Sequence, residues 1–345
     1  MSTIYSTIGP EGFGTYEVDL SRRSFRPTGA NSDRVLVPGF IDIHIHGAFG
    51  IDFMGADEIQ MLGLCHQLRD CGYEGFLPTT VTATPIDVQR SLDRLAEHPM
   101  ILGVHLEGPF ISLKHPGAQP KSAIVDPPNG PSVWDFILDD PRVKLITLAP
   151  ELPGGLELIK RITKRGIRVS MGHSDATYVQ AQEGFLAGAD HTTHTFNAMR
   201  PLHHREAGLV GYALGNDEIY TELIYDRLHV RREAAEILFR CKTSDRVVAV
   251  SDSTMAAGLP AGQTIKMWNL ECVVGDRQVR LTDGTLAGSA ITLLDAFRNI
   301  YEDFGPEKAI LACCVNPRHS IGMTAPPRLY VEFDKNLELV ALHDV

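Results

Sequence analysis

The chain has 345 residues and a formal net charge of −11, from 32 basic and 43 acidic side chains, which disfavours nucleic acid as a general partner. Hydrophobic residues make up 43% of the sequence, enough for a large core, but no apolar run is long enough for a membrane span and no secretory leader is predicted. Six cysteines without Cys-x-x-Cys spacing favour reduced thiols in a cytoplasmic protein over a secreted disulfide scaffold.

Strand-like and helix-like segments alternate along the middle of the chain. The predicted strands cover residues 35–46, 75–82, 101–107, 143–149, 167–173, 191–194, 219–224 and 246–251. The predicted helices between them cover residues 57–71, 85–97, 155–165, 177–186 and 231–241. Eight strands with intervening helices favour an α/β fold, a (β/α)8 TIM-like barrel. An open doubly wound sheet is the alternative, disfavoured because no Gly-x-Gly-x-x-Gly turn follows the first strand.

The two ends of the chain have a different pattern, with short alternating segments typical of β-strands. Residues 264–283 also predict a hairpin, around Gly275-Asp276. We therefore predict a small β-sandwich domain built from residues 1–34, about 264–283 and 325–345. The barrel domain then comprises residues 35–263 and 284–324.

Potential metal ligands lie where the predicted strands end. His44 and His46 are two residues apart on the first strand, so their side chains project to the same face. The other candidates, at the ends of the third, fifth, sixth and eighth strands, are Glu107, His173, His194 and Asp252. Because barrel active sites form at the C-terminal ends of the strands, we expect these side chains to meet. Imidazole and carboxylate groups would suit one or two divalent ions, with zinc, iron and manganese all acceptable.

Four motifs resemble the amidohydrolase superfamily in order and spacing. They are Pro-Gly-Phe-Ile-Asp-Ile-His-Ile-His-Gly at 38–47, His-Leu-Glu-Gly-Pro-Phe at 105–110, Gly-His-Ser at 172–174 and His-Thr-Phe-Asn-Ala-Met at 194–199. The second and fourth are more specific to the branch that deacetylates amino sugar phosphates. The resemblance runs from about residue 35 to about residue 322. Some amidohydrolases bridge two metal ions with a modified lysine on the fourth strand. This chain does not match that pattern, because the lysine of its fourth strand, Lys144, lies at the beginning of the strand and not at the end where the site forms.

This resemblance implies a metal-dependent hydrolase that converts N-acetylglucosamine 6-phosphate to glucosamine 6-phosphate and acetate. One ion would be held by Glu107, His173 and His194. A second would be held by His44 and His46, with Glu107 bridging. Asp252 is expected to take the proton of the attacking water and pass it to the departing amine.

Phosphate recognition is expected from two basic clusters that follow the sixth and seventh strands. Their members are Arg200, His203, His204, Arg205, Arg227, His229, Arg231 and Arg232. The resemblance implies that His229 binds the phosphate with the backbone amides of Asn197 and Ala198. It also implies that Arg205 reaches the neighbouring subunit's site, so that a homodimer exchanges two arginines.

Two positions depart from the pattern of that branch, and both concern substrate recognition. Gln119 stands after Gly117-Ala118 where histidine is usual, and it can donate a hydrogen bond but cannot carry charge. Arg227 stands in Asp226-Arg227-Leu228-His229 where glycine is usual, and we expect it beside the sugar-phosphate pocket. These departures leave open another substrate, such as N-acetylgalactosamine 6-phosphate. A non-catalytic barrel that binds sugar phosphates is a remoter alternative, because every metal ligand and Asp252 are retained.

Overall fold

The core of the molecule is a barrel of eight parallel strands that follow one another in chain order. The structure is a computed structural model that describes residues 2–268 and 270–345. The barrel strands, numbered one to eight below, are Phe40–Ile45, Tyr73–Thr80, Val104–Glu107, Val143–Leu148, Arg168–Met171, His191–Thr192, Tyr220–Ile224 and Val247–Val250. The barrel closes where the amide of Asp252 donates to the carbonyl of His44 at 2.9 Å and the amide of His46 to that of Ser253 at 2.8 Å. The predicted (β/α)8 barrel is confirmed.

Helices cover the outside of the barrel. Their bounds are Glu58–Asp70, Pro85–Asp93, Asp135–Leu138, Gly155–Thr163, Tyr178–Ala187, Gly208–Gly215, Arg232–Cys241, Leu293–Phe304, Pro306–Ile310 and Asn316–Ser320. Asp57, Thr177 and Thr292 begin three of them with capping boxes, which satisfy free amide groups of the first turn. No helix in the described ranges is both long and apolar enough to cross a membrane.

The helix Gly208–Gly215 was not among the predicted elements. It is buried on most sides and apolar along its length, so it lacks the polar and apolar periodicity that marks a surface helix. The neighbouring prediction for 177–186 is confirmed by Tyr178–Ala187.

Both chain ends enter one six-stranded sheet beside the barrel. In spatial order its strands are Leu339–Asp344, Leu329–Phe333, Val35–Pro38, Thr3–Gly9, Gly12–Asp19 and Ser24–Pro27. The predicted strand 35–46 is therefore two strands, one in this sheet and one in the barrel, with Gly39 between them. A side chain at Gly39 would place its Cβ 2.6 Å from the Cβ of Glu74, so only glycine fits this passage.

The described residues between 264 and 289 form a separate four-stranded antiparallel sheet with its own apolar cluster. The strands are Thr264–Met267, Leu270–Val274, Gln278–Leu281 and Leu286–Ser289. Within the described residues, none of them pairs with the six-stranded sheet. The amide of Ser289 instead donates to the carbonyl of Asp252 at 2.9 Å, which attaches this sheet to the mouth of the barrel. The assignment of 264–283 to the domain of the chain ends is thus corrected, because a hairpin pattern predicts local pairing but not the surface it packs on.

Candidate active site

Three predicted ligands converge at the C-terminal mouth of the barrel. The Oε1 atom of Glu107 lies 3.0 Å from Nε2 of His173 and 3.1 Å from Nε2 of His194, and the two Nε2 atoms are 3.1 Å apart. All three residues are buried, and their ligand atoms are close enough to hold one metal ion. The prediction that these residues meet agrees with this geometry.

A second ligand group lies on the other side of Glu107. Nε2 of His46 is 3.2 Å from Oε2 of Glu107 and 3.4 Å from Oδ1 of Asp252. Nε2 of His44 is 3.4 Å from Oε1 of Glu107 and 3.5 Å from Oδ1 of Asp252. Glu107 therefore lies between two possible metal positions, and Asp252 contacts only the second group.

The contacts of Nδ1 in three histidines determine which ring nitrogen faces the site. Nδ1 of His46 contacts the carbonyl of Thr79 at 3.1 Å, and Nδ1 of His173 contacts the carbonyl of His115 at 2.9 Å. A carbonyl oxygen only accepts, so each Nδ1 carries a proton, and Nε2 is the nitrogen that faces the site and offers a lone pair when the imidazole is neutral. Nδ1 of His44 faces the carboxylate of Glu222 at 3.1 Å in the same manner.

An orphaned polar atom supports a metal ligand role for this cluster. Nε2 of His44 is fully buried and has no hydrogen-bond partner among the described residues. A buried polar atom without a partner costs free energy unless a ligand satisfies it. The inward lone pairs, the two carboxylates and this free nitrogen together fit a divalent cation.

The electrostatics of the site favour ionised carboxylates. Burial alone would raise the pKa of Glu107, but His44, His173 and His194 hold it well below its usual value. Burial likewise opposes ionisation of Asp252, whereas the hydrogen bond with His46 lowers its pKa. Both groups are therefore anions at neutral pH, so a cation bound here gains strong attraction.

The backbone at the ends of three barrel strands is left-handed. His173, His194 and Asp252 have φ values of 47°, 30° and 46°. Residues with side chains rarely adopt this conformation, and it concentrates where a functional side chain must be directed against the local strand geometry. No sequence pattern indicates it here.

Gln119 contacts the carboxylate of Glu107, a candidate metal ligand, directly. Its Nε2 donates to Oε2 of Glu107 at 2.5 Å, and its Oε1 accepts from the amide of Thr82 at 2.7 Å. The second contact determines the orientation of the amide, because a backbone N–H requires an acceptor. Gln119 also lines the cavity, where a bound substrate could reach it. Its role in substrate binding remains a prediction.

The cluster opens into a cavity of about 270 Å³. Asn197, Ala198 and His229 line this cavity together with Asp252 and all the predicted metal ligands except His44. His229 is held by Asp226, whose Oδ2 lies 2.6 Å from Nδ1 of the imidazole. Burial would lower the pKa of His229, but Asp226 raises it. The structure thus places an imidazole whose protonated form is favoured by Asp226 in the same cavity as the candidate metal ligands.

The two arginines predicted to bind substrate lie elsewhere. Arg205 is exposed on the loop after strand six and does not line the cavity of its own chain. Arg227 turns away from the cavity and pairs with Asp303 at 2.7 Å and Glu302 at 2.9 Å. The prediction of Arg227 as a substrate-binding residue is therefore corrected, because these carboxylates on a neighbouring helix attract its guanidinium.

Comparison with known proteins agrees with the geometry of the site. The profile of the amidohydrolase family matches residues 35–326. The chain belongs to this family. The N-acetylglucosamine-6-phosphate deacetylase of Bacillus subtilis is 38% identical over 285 residues, which cover 79% of this chain and 71% of that protein. The N-acetylgalactosamine-6-phosphate deacetylase of Escherichia coli O157:H7 is 34% identical over 300 residues, which cover 84% of this chain and 78% of that protein.

A solved structure also resembles this amidohydrolase over nearly its whole length. It is a variant of the N-acetyl-D-glucosamine-6-phosphate deacetylase of Mycobacterium smegmatis in complex with N-acetyl-D-glucosamine-6-phosphate. The TM-score is 0.89 at 27% sequence identity, with 99% of this chain and 98% of that chain covered. The family resemblance drawn from the four motifs is confirmed.

The position of Lys144 distinguishes this amidohydrolase from relatives with a bridging lysine. Lys144 is exposed near the beginning of strand four. Glu107, at the end of strand three, instead lies between the two ligand groups.

Two residues of the amidohydrolase site were missed in the sequence. Glu222 lies in strand seven, and its Oε2 also accepts from the amide of His194 at 3.0 Å. A single acid within an apolar strand was the available signal. Trp268 lines the cavity, packs edge-on against His46 with ring centroids 5.2 Å apart, and donates from Nε1 to Asp52 at 2.9 Å. No sequence pattern indicated Trp268, because its contact depends on how the 264–289 sheet packs.

Proposed function

We propose that this protein is a metal-dependent deacetylase that hydrolyses N-acetylglucosamine 6-phosphate to glucosamine 6-phosphate and acetate. The observation that carries the proposal is one cavity that contains a metal-ligand cluster, the carboxylate of Asp252 and the imidazole of His229. The first two suit amide hydrolysis and the third suits a phosphate. Family membership and relatives that bear this name support the same conclusion.

The proposed metal centre has one principal position and one additional position. Glu107, His173 and His194 would hold the principal ion, and His44 and His46 a second one. A divalent ion here would polarise the acetyl carbonyl and lower the pKa of water, with zinc the first candidate and iron or manganese also suited to the ligands.

Asp252 would transfer the proton in both halves of the reaction. Its carboxylate is ionised and lies within the cavity, so it can accept a proton from water as the water oxygen bonds to the acetyl carbon. The same proton then passes to the amide nitrogen as the C–N bond breaks, which releases acetate and the free amine. An amine leaves readily only when protonated, so one carboxylate serves both steps.

The phosphate would be bound at the opposite side of the cavity, by His229 and the backbone amides of Asn197 and Ala198. Arg205 would complete this site from the neighbouring subunit, since it is exposed and does not line the cavity of its own chain. We therefore propose a homodimer with two exchanged arginines. The free cysteines, four of them buried, accord with a cytoplasmic location.

N-acetylgalactosamine 6-phosphate is the second candidate substrate. The E. coli relative is named for that substrate, and Gln119 departs from the usual histidine beside the reacting group. Both compounds present the same acetyl and phosphate groups, so the difference lies only in the configuration at one sugar carbon.

Acetate release from a substrate panel tests the proposal. The panel contains both N-acetylhexosamine 6-phosphates and their unphosphorylated forms, and metal content is measured on the same preparation. We expect a bound divalent metal, rapid turnover of one phosphorylated epimer and at least about a hundredfold lower kcat/KM without phosphate. A protein that holds metal but releases no acetate from any member would instead support the non-catalytic sugar-phosphate-binding barrel.

A further inference from the structure

The loop 226–229, which carries His229, is organised from within by Asp226. Oδ1 of Asp226 accepts from the amides of Leu228 and His229, both at 2.7 Å, while Oδ2 contacts the imidazole at 2.6 Å. Asp226 is fully buried. These bonds determine the shape of the loop but not its position relative to the rest of the barrel.

Arg227 connects the same loop to the helix Leu293–Phe304. Its Nε donates to Asp303 at 2.7 Å, and its NH2 group donates to Glu302 at 2.9 Å and to the carbonyl of Asn299 at 3.3 Å. Asp303 also accepts from the hydroxyl of Tyr225 at 2.7 Å. The planar guanidinium therefore joins the loop to three positions of one helix.

The acidic residues that Arg227 contacts are unfavourably placed on their own helix. Glu302 and Asp303 lie in its last turn, where the helix dipole disfavours negative charge. A cation at this end is favourable, and Arg227 provides one. Asp303 is the better anchor, because its side chain is 18% exposed whereas that of Glu302 is 60% exposed.

The backbone of Arg227 adopts a conformation that is unfavourable for a residue with a side chain. Its φ of 66° lies in the left-handed region, where a glycine would sit without strain. An arginine persists there only if its contacts stabilise the loop by more than the strain costs. The three contacts with the helix contribute to this stabilisation, together with the hydrogen bonds that Asp226 accepts within the loop.

We propose that Arg227 is a positioning residue that holds His229 at the phosphate end of the cavity by fastening the loop 226–229 to the helix Leu293–Phe304. The identity of the phosphate-bearing ligand rests on the proposed function. Arg227 itself does not touch the cavity, so its effect must pass through His229.

The test compares Arg227→Ala, Arg227→Gly and Arg227→Lys with wild-type holoenzyme. For the phosphorylated substrate we expect KM to rise about tenfold in the alanine and glycine variants, with kcat changed by less than about twofold. Lysine keeps the positive charge but not the planar guanidinium with its two parallel donors. The KM of Arg227→Lys should therefore lie between those of the wild type and Arg227→Ala. For the unphosphorylated substrate, KM should be unaffected.

The glycine variant separates the contact from the strain. If strain alone mattered, Arg227→Gly would match the wild type, and that result would overturn the proposal. Equal losses for phosphorylated and unphosphorylated substrates would also overturn it, because they would indicate a general structural defect. Arg240→Ala is the matched control, since Arg240 forms an exposed ion pair with Glu236 on a different helix and should leave both KM values unchanged.

A binding measurement separates this inference from the proposed reaction. Glucose 6-phosphate and glucose are titrated into each holoenzyme, and the difference between them reports the phosphate contact. We expect Arg227→Ala to weaken glucose 6-phosphate about tenfold and to leave glucose unchanged. This comparison holds even if the wild type releases no acetate, which would refute only the proposed function. Identical affinities for glucose 6-phosphate in wild type and Arg227→Ala would overturn the inference.

Discussion

Replacement of Glu222 by glutamine should weaken metal binding at the His44 side of the site. Oε2 of Glu222 accepts from Nδ1 of His44 at 3.1 Å and from the amide of His194 at 3.0 Å. One fully buried carboxylate thus orients a ligand of each proposed ion. Glutamine has nearly the same shape and can still accept hydrogen bonds, so the substitution mainly removes the charge.

The expected magnitude follows from the two hydrogen bonds. A bond to a charged acceptor contributes about 1.5–3 kcal/mol, and a neutral acceptor about half of that. Removal of the charge therefore costs roughly 1.5–3 kcal/mol over both bonds, or about ten- to a hundredfold in metal affinity. This range agrees with the usual effect of groups that orient metal-bound histidines.

Metal content after graded chelation is the assay, with acetate release measured in parallel. The free chelator concentration that removes the metal should be about ten- to a hundredfold lower for Glu222→Gln than for the wild type. The control is Glu218→Gln, an exposed acid just before the same strand. If Glu222→Gln retained metal as firmly as Glu218→Gln, the orienting role of Glu222 would be refuted.

Three further predictions concern the reaction and the assembly. Asp252→Asn should lower kcat by about a thousandfold while affinity for glucose 6-phosphate persists, and a loss below about tenfold would exclude Asp252 as the proton carrier. Asp226 raises the pKa of His229, so the imidazole stays cationic to higher pH than usual. The KM for the phosphorylated substrate should therefore rise only when the pH passes above that raised pKa. If His229→Gln left the pH profile of KM unchanged, this prediction would be contradicted. When inactive Arg205→Ala and Asp252→Asn chains are mixed and reassembled, about one quarter of wild-type activity should return. Half of the dimers would contain one chain of each kind, and each such dimer would have one intact site. No recovery would refute the exchange of Arg205 between subunits.

The residues that could be predicted are those whose neighbours in sequence determine their position. His44, Glu107, His173 and Asp252 each stand at or near the end of an apolar strand, and the C-terminal ends of parallel barrel strands meet at one mouth. The alternation of strands and helices therefore predicted both the barrel and the meeting of these ligands. The helices between the strands were predicted for the same local reason, from the spacing of their apolar residues.

Other features depend on contacts between residues that are distant in the chain. Arg227 was expected beside the substrate, but Asp303, more than seventy positions later, attracts its guanidinium to the outside of the barrel. Glu222 becomes part of the site only because strand seven carries it to His44. Leu270–Val274 and Gln278–Leu281 pair around the predicted turn, yet their sheet is attached to the barrel mouth and does not pair with the strands of the chain ends in the described residues.

Strand periodicity and strand-end motifs are local properties, so the amino-acid sequence was enough to predict the barrel, the amidohydrolase family and the convergence of the candidate metal ligands. The three-dimensional arrangement was needed to see which oxygen of Glu107 faces which histidine, which groups contact Nδ1 of each imidazole, and where the arginines point. Those properties arise from competition among charged and polar partners for the same side chain. The sequence contains all the possible partners of a side chain, but which partner it binds depends on their distances in three dimensions.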